Sequence, residues 1–260
     1  MIDRRRVTAL VQKDLREIVR TPQLVAPLVV VPLVFVVAIP VAIILLGGNP
    51  ALMASVNGLS AFLENLPDGL VPADYTEQQT IVYSVLVYFL APLFLIVPVM
   101  FASVIASSSF VGEKERRTIE GLLYTPLSDR ELVLGKVLVS LIPAVLVSWV
   151  SFIVYTVIVN VLGNPVIGQA FFPTPTWILM ILVMVPLVAF LATSLTVAVS
   201  GRSTTMQGAQ GISMLVLLPL MGMVVSQATG IMLFDITVVL IACVVLAIAE
   251  VVAYLLVVAQ

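Results

Sequence analysis

The stretch FVGEKERRTIEGLLYTPLSDRELVLGK, residues 110–136, concentrates the polar chemistry of this chain. Of 12 basic and 14 acidic residues, it holds Glu113, Lys114, Glu115, Arg116, Arg117, Glu120, Asp129, Arg130, Glu131 and Lys136. The residues that follow, Val137 to Gly201, carry no charge at all. An uncharged run much longer than the ~20 residues needed to cross a bilayer as helix cannot be one crossing, and reads as two. The charged segment is then a loop between membrane helices. With 61% hydrophobic and 10% charged residues and a mean hydropathy of +1.21, the 260-residue chain lies far outside soluble composition, where about a quarter of residues are charged. The sequence predicts an all-α, polytopic membrane protein.

Working outward from the loop, apolar runs and turn residues predict six transmembrane helices. Their ranges are about 24–46, 80–108, 134–162, 177–200, 211–226 and 236–258. Residues 1–22 form a separate amphipathic segment, 23–260 the six-span domain, 47–79 an outer segment and 109–133 a connecting loop. The stretch NVLGNPVIGQAFFPTPT, rich in turn formers, separates the third span from the fourth. With six crossings, all 12 basic residues fall on one side, while Glu64, Asp68, Asp74, Glu77 and Asp235 lie opposite with no basic neighbour. Positive charge retained on the cytoplasmic side places both termini and the charged loop there, in a multi-pass protein of the plasma membrane.

The first 20 residues are charged and amphipathic, so no cleavable signal peptide is expected. Val7, Leu10, Val11, Leu15 and Ile18 share one helical face, and Arg4, Lys13, Arg16, Glu17 and Arg20 the other. That pattern predicts an interfacial helix held near anionic headgroups. In the outer segment, Leu52, Val56, Leu59, Phe62 and Leu66 recur at helical spacing after an Asn49-Pro50 start and predict a short helix on the outer leaflet. This segment reads either as a connector or as part of a gate. Asp74 with Glu77 suggests a capping box before the second span, and Asp235 a cap on the sixth.

Several chemistries are excluded. The chain has no histidine, hence no Ser–His dyad and no imidazole relay, and the single Cys243 can form no intrachain disulfide. No phosphate-binding loop is present: LGKV at Leu134 lacks the upstream glycine and the hydroxyl residue after lysine. No catalytic residue, metal site or bound cofactor is expected, and ATP hydrolysis would come from a partner subunit. Three arginines beside a span set topology rather than bind nucleic acid. Glu250 is the one ionisable residue inside a predicted span; it reads as a carrier group for protons or cations, or as an anchoring hydrogen bond to a neighbouring helix.

In the charged loop, Glu113 meets Arg117 and Arg116 meets Glu120 at helical spacing, so the second span can continue into the cytoplasm as a charge-braced helix. Ile119, Leu122 and Leu123 make a small apolar stripe, with Tyr124 beside it. Gly121 and Thr125-Pro126 interrupt the helix, and Ser128 with Glu131 restarts it through a capping box. A short rigid helix displaying apolar side chains between two membrane helices suits docking to a soluble partner, or serves topology alone.

The segment GEKERRTIEGLLYTPLSDRELVLGK closely resembles the first cytoplasmic loop of type-2 ATP-binding-cassette (ABC) export permeases. ALVQKDLREIVRTPQLVAPLVVVPLVF is similar to that family's N-terminal helix and first span, and GRSTTMQGAQGISMLVLLPLM to its fourth loop and fifth span. The resemblance implies a coupling helix containing Glu113, Glu115, Arg116, Thr118 and Glu120, continued by Thr125, Pro126, Ser128, Glu131, Gly135 and Lys136. Arg117 departs from the glycine common before the threonine. The implied function is the membrane permease of an exporter. It would work as a homodimer or as a heterodimer with a similar permease, in the lipid bilayer, driven by two ATPase subunits that bind ATP and magnesium. Gradient-driven transport through Glu250, or a non-transporting membrane anchor or assembly role, are the alternative readings of the residues.

Overall fold

The computed structural model describes residues 3–47, 59–67, 69–115, 128–200, 203, 205–229 and 232–258. These form helices, with no strand among them. In chain order they are α1 (Arg4–Val19), α2 (Pro22–Leu46), α3 (Leu59–Glu64), α4 (Glu77–Glu115), α5 (Asp129–Ile167), α6 (Pro175–Ser200), α7 (Met206–Ser213), α8 (Leu217–Ala228) and α9 (Ile236–Val258). Among the described residues, α2, α4, α5 and α6 contain stretches long and apolar enough to cross a membrane, and α8 and α9 contribute shorter apolar helices.

Helix α4 is the hub. It is buried on nearly every side from Val97 to Val111, including Ser103, Ser107, Ser108 and Ser109. A helix apolar all round is one enclosed by others. Its lower segment, Ile96–Glu115, packs against α1, α5, α6 and α7, while its upper part, Leu90–Phe94, packs against α8. Around it, α5 shows two faces. Val139, Ala144, Ser148, Tyr155 and Val159 are buried, whereas Ile142, Leu146, Val150, Ile153, Val157 and Val161 form an exposed stripe at steps of three and four. Helix α9 exposes Leu240, Val244, Ile248 and Val251 in the same way. Large apolar stripes left bare by the protein have hydrocarbon as their solvent.

Three π turns interrupt the long helices: Leu33–Ala38 in α2, Val85–Phe89 in α4 and Met180–Met184 in α6. Each lies just before a proline, Pro40, Pro92 or Pro186. Proline lacks the N–H that would bond the carbonyl four residues back, and its ring crowds that carbonyl. A widened turn relieves both effects. Pro143 and Pro165, by contrast, lie inside unbroken α5.

Several local expectations change. The cap on α4 is not Asp74 with Glu77. Thr76 accepts from the Gln79 amide while the Gln79 side chain accepts from the Thr76 amide, and Glu77 is the first helical residue. The two signatures overlap in DYTEQQ, and the edge-on packing of Tyr75 against Tyr83 at 5.8 Å accompanies the later start. Helix α5 does not turn at Leu162; it runs through Gly163, Asn164 and Pro165 to Ile167 and stops at Gly168, whose φ of +85° is the left-handed conformation glycine tolerates. Tertiary contacts hold this last turn: Gln79 donates to the Val166 carbonyl at 2.9 Å, and Gly163 lies against the Phe171 ring. Asn160 then holds the return loop, donating to the Phe172 carbonyl at 2.6 Å and accepting from the Phe171 and Phe172 amides. Leu59 and Phe62 of α3 are buried within the protein, Phe62 against Phe89 at 5.3 Å, rather than laid on lipid; Leu52 and Val56 lie outside the described residues. Asp235 does cap α9, accepting from the Val238 amide at 2.9 Å.

Candidate coupling junction

The lower end of α4 terminates in Glu113, Lys114 and Glu115, and each of the three is tied to different elements. Glu113, 6% exposed, accepts from Lys13 of α1 at 2.7 Å and from Lys136 of α5 at 2.5 Å. Lys136, 3% exposed, also donates to the Ser109 carbonyl and sits 5.3 Å from the centre of the Phe110 ring. Burying two opposite charges is tolerable only when the ions are paired and their remaining polar positions filled. Here Lys136 meets a carboxylate, a carbonyl and a ring face, so the condition holds.

Lys114 donates to the Ser200 carbonyl at 2.7 Å, at the C-terminal end of α6. Glu115 accepts from the Met206 amide at 3.1 Å, at the first residue of α7. Both contacts put the sign of charge that each helix dipole favours at its terminus. Gln210 of α7 adds a bond to the Ser107 hydroxyl at 3.0 Å. At Gly112 an added Cβ would come within 3.2 Å of the Met206 sulfur, so α4 and α7 touch closely there.

Helix α1 completes the junction. Its apolar face is spent on the protein: Val7, Leu10 and Ile18 are buried, with packing against α5, α4 and α2. Asp14, 4% exposed, falls on the same stripe and accepts from the Ser109 hydroxyl at 2.7 Å. Its other oxygen lies 3.1 Å from the Lys13 ammonium, an ion pair without a well-directed hydrogen bond. Leu10 presses on Gly135, where a Cβ would approach its side chain to 2.7 Å. At the start of α1, the Asp3 amide donates to Glu131 at 2.7 Å. Glu131 meanwhile accepts from the Ser128 amide at 2.9 Å, in the capping box expected from the sequence.

Lys13, expected on the charged face of α1, has a half-exposed side chain that reaches back to Glu113. Burial alone would lower its pKa; the hydrogen bond to Glu113 and the charge of Asp14 outweigh it and hold the ammonium above its ordinary range. Sequence reasoning missed Asp14 and Ser109. The available signal was a carboxylate at Asp14, in step with Val7, Leu10 and Ile18 on the apolar face.

Of the residues expected in the coupling element, Glu113, Glu115, Ser128, Glu131, Gly135 and Lys136 are therefore gathered at one end of the bundle. Arg116, Thr118, Ile119, Glu120, Leu122, Leu123, Tyr124, Thr125 and Pro126, with Arg117, lie outside the described residues. Glu113 accepts from two lysines distant in sequence, Lys13 and Lys136; Arg117, its expected local partner, lies outside the described residues. Glu250 lies on α9, far along the chain from this cluster, with one carboxyl oxygen buried and without a hydrogen-bond partner. Among the described residues no group of three or more His, Cys, Asp or Glu side chains could hold a metal ion.

A family profile described as ABC-2 family transporter protein matches residues 8–255. The chain belongs to the ABC-2 transporter family. It is thus a permease subunit of an ABC transporter and a multi-pass membrane protein, of a family whose members generally work with ATPase subunits. No curated protein and no solved structure matches this ABC-2 chain. The match spans α1 as well as the membrane helices.

Proposed function

We propose that this ABC-2 protein is the permease of an exporter, crossing the plasma membrane six times with both termini and the junction in the cytoplasm. Two copies, or one with a similar permease, enclose the pathway, and two ATPase subunits carrying ATP and magnesium bind beneath. The segment 116–127, bounded by Glu115 and Ser128, is the docking element. ATPase closure pushes it, and the spans shift between inward-open and outward-open populations. Hydrolysis belongs to the partner; this chain supplies the pathway and the lever.

The observation that carries this reading is the junction. A segment tethered only by its own two ends would absorb a push as local bending. This one is fixed at Glu113, Lys114 and Glu115 to α1, α5, α6 and α7, and at Glu131 to α1. A displacement at the loop is thereby passed to five helices together. Coupling through packed, hydrogen-bonded elements of this kind is the physical route by which one site biases another.

The test replaces Leu122 by Asp. A buried apolar anchor in a small interface carries about 2 kcal/mol or more, whereas an exposed ion pair is worth about 0–1 kcal/mol. Leu122→Asp should abolish co-purification with the ATPase recovered from native membranes, and uncouple ATP turnover in vesicles, while the permease still inserts. Full binding and coupled transport would refute the docking assignment.

A further inference from the structure

The π turn Val85–Phe89 in α4 is held by side chains from three other helices. Tyr155 of α5 donates to the Leu86 carbonyl at 2.7 Å, Trp177 of α6 to the Val87 carbonyl at 2.7 Å, and Gln227 of α8 to the Tyr88 carbonyl at 3.1 Å. Three successive main-chain acceptors are thus each met by a side chain. Backbone accounting explains why. In an α-helical register the Tyr88 carbonyl would accept from residue 92, and in a π register the Val87 carbonyl would do so; residue 92 is proline and has no N–H. The Leu90 amide reaches the Val85 carbonyl, the π pattern, and also the Tyr88 carbonyl two residues back, a contact too acute to replace the helical bond that Pro92 removes. Whichever register the main chain takes, one of these two carbonyls loses its donor, and the structure provides a side chain for each.

The arrangement recurs in α6. There the π turn Met180–Met184 precedes Pro186, and the carbonyl five residues before that proline belongs to Ile181. Trp149 of α5 donates to it at 3.1 Å. Both tryptophans of the chain therefore serve the same position relative to a proline. A stacking role for Trp177 is also present, at 4.9 Å from Tyr155, but stacking does not select that acceptor.

Below the turn the main chain weakens further. The Leu95 amide bonds only as far back as Pro92, at 3.2 Å, and Pro98 removes another N–H. From Ile96 the helix runs unbroken to the junction at Glu113–Glu115. We propose that residues 85–95 are a hinge, switching between α and π registers. Tyr155, Trp177 and Gln227 latch its outer half to α5, α6 and α8 while the lower segment 96–115 pivots with the coupling loop. The hinge gives the transport reading its moving part and rests on that reading for its purpose, but its mechanics belong to the permease alone.

The test is hydrogen–deuterium exchange on the purified permease in lipid nanodiscs, which needs no ATPase, so its failure is separable from failure of the transport assignment. Gln227→Leu keeps side-chain volume and removes the donor; Trp177→Phe keeps an aromatic ring. Each should raise exchange of the amides of residues 89–95 at least tenfold and leave residues 99–105 within twofold. Pro92→Ala restores a main-chain donor for the Tyr88 carbonyl. In that background Gln227→Leu should raise exchange by no more than twofold. An equal rise along all of α4 would show general loosening, and no rise would show an idle bond. The same tenfold rise with Ala at 92 would show that proline is not the reason for the latch. Any of these three results overturns the hinge.

Discussion

Lys136→Met tests whether the junction is a mutually dependent pair of charges or a set of independent contacts. In Glu113→Gln the Lys136 ammonium, almost wholly buried, keeps the Ser109 carbonyl but loses its counter-ion. In Lys136→Met the Glu113 carboxylate keeps its bond to Lys13, whose side chain is 48% exposed. Breaking one half of a buried pair costs about 3–5 kcal/mol, because the surviving charge is left uncompensated. For a chain of this size, at roughly 2–4 °C per kcal/mol, Glu113→Gln, which strands the buried Lys136 ammonium, should lower the unfolding midpoint by about 6–20 °C, and Lys136→Met, which leaves Glu113 paired with Lys13, by less. The double variant Glu113→Gln/Lys136→Met removes both charges, and neutral replacements of a buried pair are often close to harmless. It should recover most of the loss, giving a coupling of about 2 kcal/mol or more of rescuing sign. The assay is thermal unfolding of the detergent-solubilised permease, followed by size-exclusion recovery. If the double variant loses as much as the two singles added together, the pair is not coupled and the account of the junction is wrong.

Three other outcomes are expected. Asp14→Leu deprives the Ser109 hydroxyl of its acceptor and Lys13 of a neighbour, and should cost about 1–3 kcal/mol, read as faster proteolysis within α1. Lys13, held above its ordinary range, contributes stability that is complete below the unfolded value of about 10.4 and disappears as pH climbs through the higher folded value; the unfolding midpoint of Lys13→Met should therefore differ from the parent's at pH 8 and converge with it at strongly alkaline pH. In a Cys243→Ala background, Gln169→Cys should react with an impermeant thiol reagent applied to intact cells, and Thr118→Cys only after lysis; external labelling at Thr118 would reverse the proposed orientation.

The membrane character and the cap at Ser128–Glu131 were legible because both depend on local order: runs of apolar residues and a four-residue signature. The cap before α4 was misread because Asp74/Glu77 and Thr76/Gln79 satisfy the same signature in overlapping frames. The end of α5 was misread because contacts distant in sequence, Gln79 on the Val166 carbonyl and Phe171 against Gly163, hold a turn that its weak helix formers do not announce. The junction was half legible. Glu113 and Glu115 stand out in sequence, and their family resemblance pointed to coupling, yet their partners Lys13, Lys136, Ser200 and Met206 are set by helix packing. The proline-linked bonds from Trp149 and Trp177 were not legible, since nothing local to a tryptophan specifies a carbonyl on another helix.

The Asp3 amide and the Glu131 carboxylate that receives it are separated by 128 positions. Synthesis proceeds at roughly 5–20 residues per second, so the first end of that bond waits about 6–26 s for the second. Through that interval α5, which packs against α1, has not been made, and α4 is complete only near its end. The greasy side of α1 must rest on something else, and the headgroup region beside the newly inserted first span is the nearest apolar shelter. The junction cannot close until the third long helix has begun, and the amphipathic pattern of α1 gives it a face that lipid can cover in the meantime.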